Sequence, residues 1–230
     1  MRILLFLLVA ALMAGGCASS PSGSSAVTRR WRPLFDGHSL EGWVQRGGSA
    51  MYRVDKGEIV GTSVPNTANS FLCTGRDYRN FILELEFKVA TNLNSGVQIR
   101  SQELTSAKEI TWEGKVIKIP AGRVHGYQVE IDPSDRAWTA GIYDESRRGW
   151  LNDLKANEPA RRAFKQGAWN RLRVEARGPS IKTWLNGVPA ADLQDGLTPS
   201  GFIGLQVHGV GAKTDPLEVR WRQIRILELP

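Results

Sequence analysis

Apolar and polar side chains alternate one by one along many segments of this chain, and this pattern constrains the fold more than any other feature. A period of two residues is typical of β-strands that bury one face, because successive side chains point to opposite sides of a sheet. The alternating segments are residues 81–89, 97–100, 127–132, 171–175, 203–208 and 217–229. A change of phase near Gln223 in the last segment predicts a β-bulge.

Turn residues separate these segments, and Asn186-Gly187 predicts a tight hairpin. Only residues 149–166 have helical character. Because Pro159 interrupts them, we expect a long loop there with one or two short helical turns. Many strands with almost no helix predict an all-β fold, a two-sheet antiparallel sandwich over residues 31–230.

The N-terminus of the 230-residue chain is typical of an exported bacterial protein. Arg2 precedes an apolar stretch at residues 3–13, which is shorter than the roughly 20 apolar residues that span a bilayer as a helix. Small residues then lead into Cys17, as in a lipoprotein signal. We predict a signal peptide at residues 1–16, a lipidated Cys17 that anchors the protein in the membrane, and a flexible tether up to residue 30. The absence of an acidic residue after Cys17 favours the outer membrane, facing the periplasm or the cell surface. Plain secretion with cleavage nearby is the alternative.

Cysteine content and net charge limit the covalent links, metal sites and partners that can be expected. If Cys17 carries lipid, Cys73 has no partner, so neither a disulfide nor a cysteine-based metal site is expected. Cys73 lies in an apolar segment and is predicted to be a small buried side chain. The net charge of +7 is modest and scattered, and we predict no nucleic-acid partner.

The polar members of the alternating segments are rich in amides and carboxylates. We expect one polar platform built from Glu84, Glu86, Gln98, Arg100, Gln128, Glu130, Asp132, Gln206 and His208. With Trp138, Tyr143 and Trp150 at its rim, such a platform suits a polyhydroxylated ligand, since amides bond to hydroxyls and rings stack on sugar C–H faces. A solvated face without a ligand is the alternative.

His208 is the best candidate for proton transfer near neutral pH, because it is a histidine on the polar side of its segment. Glu130 and Asp132 are separated by one residue, but the third acid of laminarinase-like glycosidases is missing, so ordinary retaining hydrolysis is not expected. The three histidines have no zinc-binding spacing. An oxygen-ligated divalent cation at Glu130 or Asp132 is left open.

A set of motifs in a fixed order resembles the bacterial 3-keto-disaccharide hydrolase family. The motifs are Leu34-Phe35-Asp36-Gly37-His38-Ser39-Leu40-Glu41-Gly42-Trp43, Asn94-Ser95-Gly96-Val97-Gln98-Ile99-Arg100, Gly126-Tyr127-Gln128-Val129-Glu130-Ile131-Asp132, Gly141-Ile142-Tyr143, Trp169-Asn170, Asn186-Gly187, Gly204-Leu205-Gln206-Val207-His208-Gly209 and Ile224-Arg225-Ile226. The resemblance covers residues 34–229 and implies a concanavalin A-like jelly roll. Many members read Glu-x-Gln where this chain has Gln128-Val129-Glu130, which leaves the identity of the acid and base open.

The resemblance also implies a chemistry. The implied substrates of the family are glycosides already oxidised at sugar C3. A base removes the C2 proton, the C1 substituent is eliminated, and water then adds to the product. We expect Glu130 or His208 as the base, Arg100 to stabilise the oxyanion, and Tyr143 or His208 to protonate the leaving group. The residues expected to bind substrate are Gln98, Gln128, Gln206, Glu86, Asp132 and Trp138. A divalent cation could take part of the Arg100 role.

This interpretation requires Arg100, Glu130 and His208 to converge on one hollow. A non-catalytic carbohydrate-binding lipoprotein is the alternative from another class, and a purely structural lipoprotein is a third. The oligomeric state is left open.

Overall fold

The computed structural model of the chain describes residues 30–230. The predictions for the signal peptide, for Cys17 and for the tether fall on residues 1–29 and lie outside the described residues. Within residues 30–230, no helix is long and apolar enough to cross a bilayer.

The described chain is built almost entirely from strands. They are β1 Arg32–Pro33, β2 Trp43–Gly47, β3 Met51–Asp55, β4 Glu58–Thr62, β5 Ser70–Thr74, β6 Phe81–Val89, β7 Ser95–Glu103, β8 Lys108–Trp112, β9 Lys115–Ile119, β10 Val124–Ile131, β11 Ile142–Glu145, β12 Gly149–Asn152, β13 Asn170–Arg177, β14 Ser180–Leu185, β15 Val188–Gln194, β16 Phe202–Val207 and β17 Glu218–Glu228. The one helix of the described residues, α1, is Glu158–Arg162.

Two large antiparallel sheets form a sandwich. The front sheet has seven strands in the order β12-β11-β10-β7-β16-β5-β2. The back sheet has eight strands in the order β15-β14-β13-β6-β17-β4-β3, and β1 pairs with β17. Strands β8 and β9 form a separate hairpin between β7 and β10. This architecture confirms the predicted all-β, two-sheet antiparallel sandwich.

The core lies between the sheets and is filled by the apolar half of each alternating segment. Its members include Phe81, Leu83, Leu85 and Phe87 from the back sheet and Val97, Ile99, Val129 and Ile131 from the front sheet. Full burial of each such side chain stabilises the fold by about 1.5–3 kcal/mol. The sheets approach closely at Gly61, where a Cβ atom would lie 2.5 Å from Val207 Cγ2. The alternation therefore leaves the polar half of each strand on an outer face.

Local predictions from the sequence are largely confirmed. Asn186 and Gly187 both have positive φ angles, +51° and +86°, as a type I′ hairpin requires. Gln223 has a φ of +54° at the predicted bulge in β17. Segment 149–166 does contain a short helix, but it begins with strand β12, which the sequence did not predict. Cys73 is fully buried, and burial raises the pKa of its thiol to about 12.

Candidate active site

A cavity of about 320 Å³ opens on the outer face of the front sheet. Its walls come from β10, β11 and β12 and from loops next to β5, β7, β10 and β16. The lining residues are Asn69, Asn94, Gln128, Glu130, Arg136, Tyr143, Glu145, Trp150 and His208. The cavity thus brings Gln128, Glu130, Tyr143 and His208 together, as the sequence predicted.

Antiparallel pairing builds the floor of the cavity. Gln128 of β10 stands opposite Gln98 of β7 on one side and opposite Tyr143 of β11 on the other. The neighbouring Gly96 makes room for the long amide side chain, because a Cβ atom there would lie 2.6 Å from Gln128 Cγ. The local sequence therefore places Gln128 at the centre of the polar face.

Three glutamines form a chain of amides beneath the cavity. Gln98 Nε2 and Gln206 Nε2 each donate to Gln128 Oε1 at 2.7 Å. Gln128 Nε2 in turn donates to Glu130 Oε2 at 2.8 Å. Two donors on one oxygen fix the orientation of the Gln128 amide, so that its nitrogen faces the carboxylate. Gln98 and Gln206 do not line the cavity and act on it through Gln128.

Glu130 is the most deeply buried carboxyl group of the cavity. Asn94 Nδ2 donates to its Oε1 at 2.7 Å, and Arg136 Nη2 lies 3.6 Å from the same oxygen. Burial raises the pKa of Glu130 above its usual value, although the hydrogen bonds from Asn94 and Gln128 act in the opposite direction. Each oxygen accepts one hydrogen bond, and these two bonds fix the orientation of the carboxyl group in the cavity.

Arg136 is the guanidinium of the cavity. Its Nε donates to Asp132 Oδ2 at 2.7 Å, and its Cζ lies 4.8 Å and 5.0 Å from the ring centres of Trp138 and Trp150. Burial would raise the pKa of Asp132, but hydrogen bonds from Ser134, Arg136 and the Trp138 N–H lower it. Asp132 and Trp138 do not line the cavity, and they hold Arg136 in place.

His208 is exposed at the rim of the cavity. Its Nδ1 lies 2.8 Å from the Gly209 carbonyl oxygen, which can only accept a hydrogen bond. In the neutral imidazole Nδ1 therefore carries the proton and Nε2 is left as an acceptor. Asn69 fixes this loop, because its Oδ1 accepts from the Gly209 N–H at 3.0 Å.

Glu145 is the second carboxyl group of the cavity. Asn69 Nδ2 lies 3.4 Å from Glu145 Oε1, so one asparagine joins Glu145 to the His208 loop. Burial raises the pKa of Glu145, although the hydrogen bond from Asn69 and the charge of His208 oppose that shift. The cavity therefore holds two carboxyl groups that keep their protons at higher pH than usual.

Two aromatic rings form one wall. Tyr143 meets Trp150 edge to face with ring centres 5.3 Å apart. Burial, together with the charge of Glu145, raises the pKa of the Tyr143 phenol. A phenol that stays protonated is a hydrogen-bond donor to a hydroxyl or carbonyl group.

A second, smaller cavity of about 150 Å³ adjoins the first and shares Asn69 and Glu145 with it. Phe71 and Val124 give it an apolar lining, and Arg123 lies at its edge. Glu145 thus stands where a polar cavity meets an apolar one.

The prediction that Arg100 faces this cavity is wrong. Strict alternation would put Arg100 beside Gln98, but Arg100 has a φ of +47° at a shift of register, and Ser101 takes that place instead. Ser101 Oγ donates to Gln98 Oε1 at 2.7 Å. Arg100 is fully buried, and its guanidinium donates to the carbonyls of Arg79 at 2.6 Å and Gly178 at 2.7 Å, next to strands of the back sheet.

The prediction that Glu86 belongs to the same platform is also wrong. Glu84 and Glu86 lie on β6 of the back sheet, and Glu86 Oε2 accepts from Arg222 Nε at 2.7 Å. Alternation identifies the polar side of a strand but does not say which sheet the strand joins. The predicted platform is therefore two faces on opposite sides of the molecule.

Sequence reasoning missed Asn69, Asn94, Arg136 and Glu145 as cavity residues. Glu145 follows Tyr143 by two residues, so the same alternation could have identified it. Arg136 and Asn69 come from loops, where no periodicity exists to indicate a direction. Across the described residues, no group of three or more His, Cys, Asp and Glu side chains is placed to hold a metal ion.

Several solved structures share the fold. A Bacillus subtilis protein of unknown function with a galectin-like fold superimposes with a TM-score of 0.59 at 13% identity, covering 86% of this chain and 94% of its own. A Parabacteroides distasonis protein provisionally designated a glycosyl hydrolase gives 0.56 at 18% identity, covering 87% and 94%. The carbohydrate recognition domain of Emp47p gives 0.52 at 14% identity, covering 90% and 99%. These similarities confirm the predicted jelly-roll, concanavalin A-like fold.

Sequence comparison identifies the family. No curated protein sequence matches the chain. A family model described as a 3-keto-alpha-glucoside-1,2-lyase-like domain matches residues 30–227, almost all of the described chain. This protein therefore belongs to the family of 3-keto-alpha-glucoside-1,2-lyase-like domains, as the order of its motifs indicated.

Proposed function

We propose that this protein cleaves glycosides that carry a ketone at sugar C3, by removing the C2 proton and eliminating the C1 substituent. The observation that carries the proposal is one cavity lined by an imidazole, a guanidinium and two carboxyl groups with raised pKa values. Elimination next to a ketone needs a base, a stabiliser of the enolate oxygen and an acid for the leaving oxygen. Family membership supports the same class of substrate.

The steps balance without a redox cofactor. The base takes the C2 proton, and the C–H electron pair forms the C2=C3 double bond of an enolate whose negative charge rests on the C3 oxygen. The enolate then collapses, the C1–O bond breaks, and the leaving oxygen takes a proton from the acid. Addition of water across C1=C2 gives the free 3-keto sugar, so the net reaction is hydrolysis.

His208 is the base in this proposal. Its Nδ1 lies 2.8 Å from the Gly209 carbonyl oxygen, so in the neutral imidazole the proton sits on Nδ1 and Nε2 can accept the C2 proton. Glu130 was the other candidate from the sequence. Because both of its oxygens accept hydrogen bonds from Asn94 and Gln128, we assign it to binding a sugar hydroxyl and orienting Arg136.

Glu145 is the acid. Burial raises its pKa, and it lies at the junction of the polar and the apolar cavity. A sugar ring in the polar cavity, stacked against Trp150, would place its C1 substituent in the apolar cavity and the leaving oxygen near Glu145. Tyr143 donates a further hydrogen bond to the substrate.

Arg136 takes the role that the sequence had assigned to Arg100. It is held by Asp132 and two tryptophan rings, so little conformational entropy is lost when it binds an enolate oxygen. Gln98 and Gln206 hold the Gln128 amide ready for a hydroxyl group.

The N-terminal sequence suggests where in the cell this activity takes place. We propose that Cys17 is lipidated and that the domain works at the bacterial outer membrane, because small residues precede Cys17 directly after the apolar segment.

Two leaving groups of different quality test the proposal. Wild-type protein is mixed with the 3-keto derivative of 4-nitrophenyl glucoside and with 3-keto-trehalose, and release of nitrophenol or sugar is followed. His208→Ala should slow both substrates by about a hundredfold or more. Glu145→Gln should slow 3-keto-trehalose by a similar factor but the nitrophenyl substrate by less than about tenfold, because nitrophenolate leaves without an acid.

Glu103→Gln is the matched control, since Glu103 lies on the front sheet outside the cavity and pairs with Arg46. It should leave both rates unchanged. Saturable binding of the keto sugars without turnover by the wild type would instead indicate a carbohydrate-binding lipoprotein. If the wild type shows no binding and no turnover, both proposed functions are refuted.

A further inference from the structure

A groove crosses the outer face of the back sheet, on the side of the molecule opposite the candidate active site. It consists of three adjoining cavities of about 650, 370 and 350 Å³. Glu84 and Arg171 line both the first and the second, and Gln223 and Arg225 line both the second and the third. The cavities are therefore continuous, and we call them the back groove.

The back groove is strongly cationic. Six basic side chains line it against three acidic ones, an excess of three among the lining residues, and one of the six, Arg32, also pairs with Glu228 outside the groove. The basic residues are Arg32, Lys165, Arg171, Arg173, Arg222 and Arg225, and the acidic residues are Asp36, Glu84 and Glu86. A concave surface with one sign of excess charge attracts ligands of the opposite charge.

Strand register holds the arginines in two rows. Arg173 and Arg225 stand on either side of Glu84, and Glu84 accepts hydrogen bonds from both, at 2.8 Å and 2.6 Å. These bonds, with one from Arg171, lower the pKa of Glu84 to about 2 in spite of its burial. Glu84 is therefore ionised at every physiological pH and keeps the arginines ordered before any ligand arrives.

Donors are left over for a ligand. Arg222 uses Nε for Glu86, and its two terminal nitrogens have no hydrogen-bond partner among residues 30–230. Arg171 uses one terminal nitrogen for the side chain of Glu84. Guanidinium groups held by neighbours bind carboxylates with less loss of rotamer entropy than mobile side chains do.

Aromatic rings lie at the two ends. Trp184 lines the first cavity and Trp31 the last. Arg173 lies 5.5 Å from the Trp184 ring centre, and Arg225 lies 4.6 Å from that of Trp31. Indole rings at both ends of an elongated cationic groove suit a chain of sugar rings that carries negative charges.

We propose that the back groove binds a linear acidic polysaccharide, with Arg171, Arg222 and Arg225 pairing with its carboxylates and Trp31 and Trp184 stacking on its sugar rings. The proposal concerns a second site and goes beyond the cleavage of 3-keto-glycosides. A flat bilayer surface fits the concave shape less well, because headgroup charges lie in a plane rather than along a line.

Binding of polygalacturonate oligomers to the protein tests the proposal. The same oligomers with every carboxylate methyl-esterified serve as the matched uncharged probe. Titration calorimetry with the whole mature chain should show binding to the acid form and at least tenfold weaker binding to the ester. Affinity for the acid form should fall as salt rises from 0.05 to about 0.5 M, since salt screens ion pairs.

A pair of variants locates the site. Arg222→Gln should weaken binding at least threefold. Arg222 pairs with Glu86 at 2.7 Å and lies 4.0 Å from the Trp169 ring centre. Arg46→Gln is the control, since Arg46 likewise pairs with one glutamate at 2.7 Å and lies 5.1 Å from an aromatic ring centre, but on the front sheet. It should leave the affinity unchanged. Trp184→Leu, which keeps the groove charge, should also weaken binding at least threefold.

Equal affinity for acid and ester, equal loss in Arg222→Gln and Arg46→Gln, or no binding would overturn the proposal. So would binding to phosphatidylglycerol vesicles in place of polygalacturonate, which would indicate a membrane surface. Glu145→Gln should bind polygalacturonate normally, so that failure at the candidate active site and failure at the back groove can be told apart.

Discussion

The sequence predicts that Arg100 lines the active-site cavity, whereas the structure buries its guanidinium against backbone carbonyls. The variant Arg100→Met tests which of the two is right. Methionine keeps the apolar length of the side chain but removes the donors to the Arg79 and Gly178 carbonyls, at 2.6 Å and 2.7 Å. Hydrogen bonds from a charged group contribute about 1.5–3 kcal/mol each, and loss of the buried charge offsets part of that. We therefore expect the free energy of unfolding to fall by about 3–5 kcal/mol.

That loss is measurable in both stability and activity. For a domain of this size, about 3–5 kcal/mol corresponds to a fall in Tm of about 6–20 °C. At a temperature where the variant is still folded, turnover of a 3-keto-glycoside per folded molecule should stay within about twofold of wild type, because Arg100 lies outside the cavity. Urea unfolding followed by tryptophan fluorescence, beside the kinetic assay, measures the two effects separately.

Arg136→Met is the matched comparison and should behave in the opposite way. Its side chain is 42% exposed, whereas its partner Asp132 is only 3% exposed. Asp132 keeps its hydrogen bonds from Ser134 and from the Trp138 N–H, so the loss of stability should be about 1–3 kcal/mol, smaller than for Arg100→Met. Turnover should fall by about a hundredfold or more, as for loss of a group that stabilises an oxyanion. An Arg100 variant with unchanged Tm and lost turnover, beside a fully active Arg136 variant, would refute the reasoning.

Three further outcomes follow from the same chain. His125 is buried with no hydrogen-bond partner among the described residues, and burial lowers its pKa from 6.5 to about 4. Below pH 6.5 the unfolded chain therefore binds a proton at His125 that the folded protein does not bind. The stability contributed by neutral His125 is fully present above pH 6.5, and the free energy of unfolding falls by up to about 3 kcal/mol as the pH drops to 4. His125→Leu should reduce this pH dependence of the free energy of unfolding, measured by urea titration at several pH values. Gly126→Ala should lower stability by about 1–3 kcal/mol, because φ is +139° and a Cβ atom would lie 2.4 Å from Ser101 Oγ; an unchanged unfolding midpoint would contradict the geometry. Cys17→Ser should abolish incorporation of labelled palmitate and release the protein from the membrane fraction, and persistent labelling would show that another residue is acylated.

Much of the candidate site could be predicted because it lies on regular strands. Gln128 and Glu130 are two residues apart on β10, and Tyr143 lies beside Gln128 in the register. Alternation therefore put them on one face correctly. Glu145 follows the same rule on β11 and could have been included, whereas Arg136 comes from a loop, where side-chain direction depends on what the loop packs against.

The two errors have different physical causes. Arg100 changes face because φ is +47° at the register shift between β7 and β10, where Gly126 of β10 packs against Ser101. Glu86 was assigned to the correct side of its strand but to the wrong sheet, because alternation is identical for a strand in either sheet.

The sequence by itself determined the strands, the Asn186-Gly187 hairpin and the burial of one face of each strand, since these depend on the direction of neighbouring side chains and on the allowed φ and ψ angles. Tertiary structure alone decided which strands share a sheet, and so which polar groups meet. Contacts between residues far apart in the chain brought His208 next to Glu145 and set Arg136, not Arg100, in the cavity. Such contacts depend on the packing of two sheets, and no local pattern of residues encodes that packing.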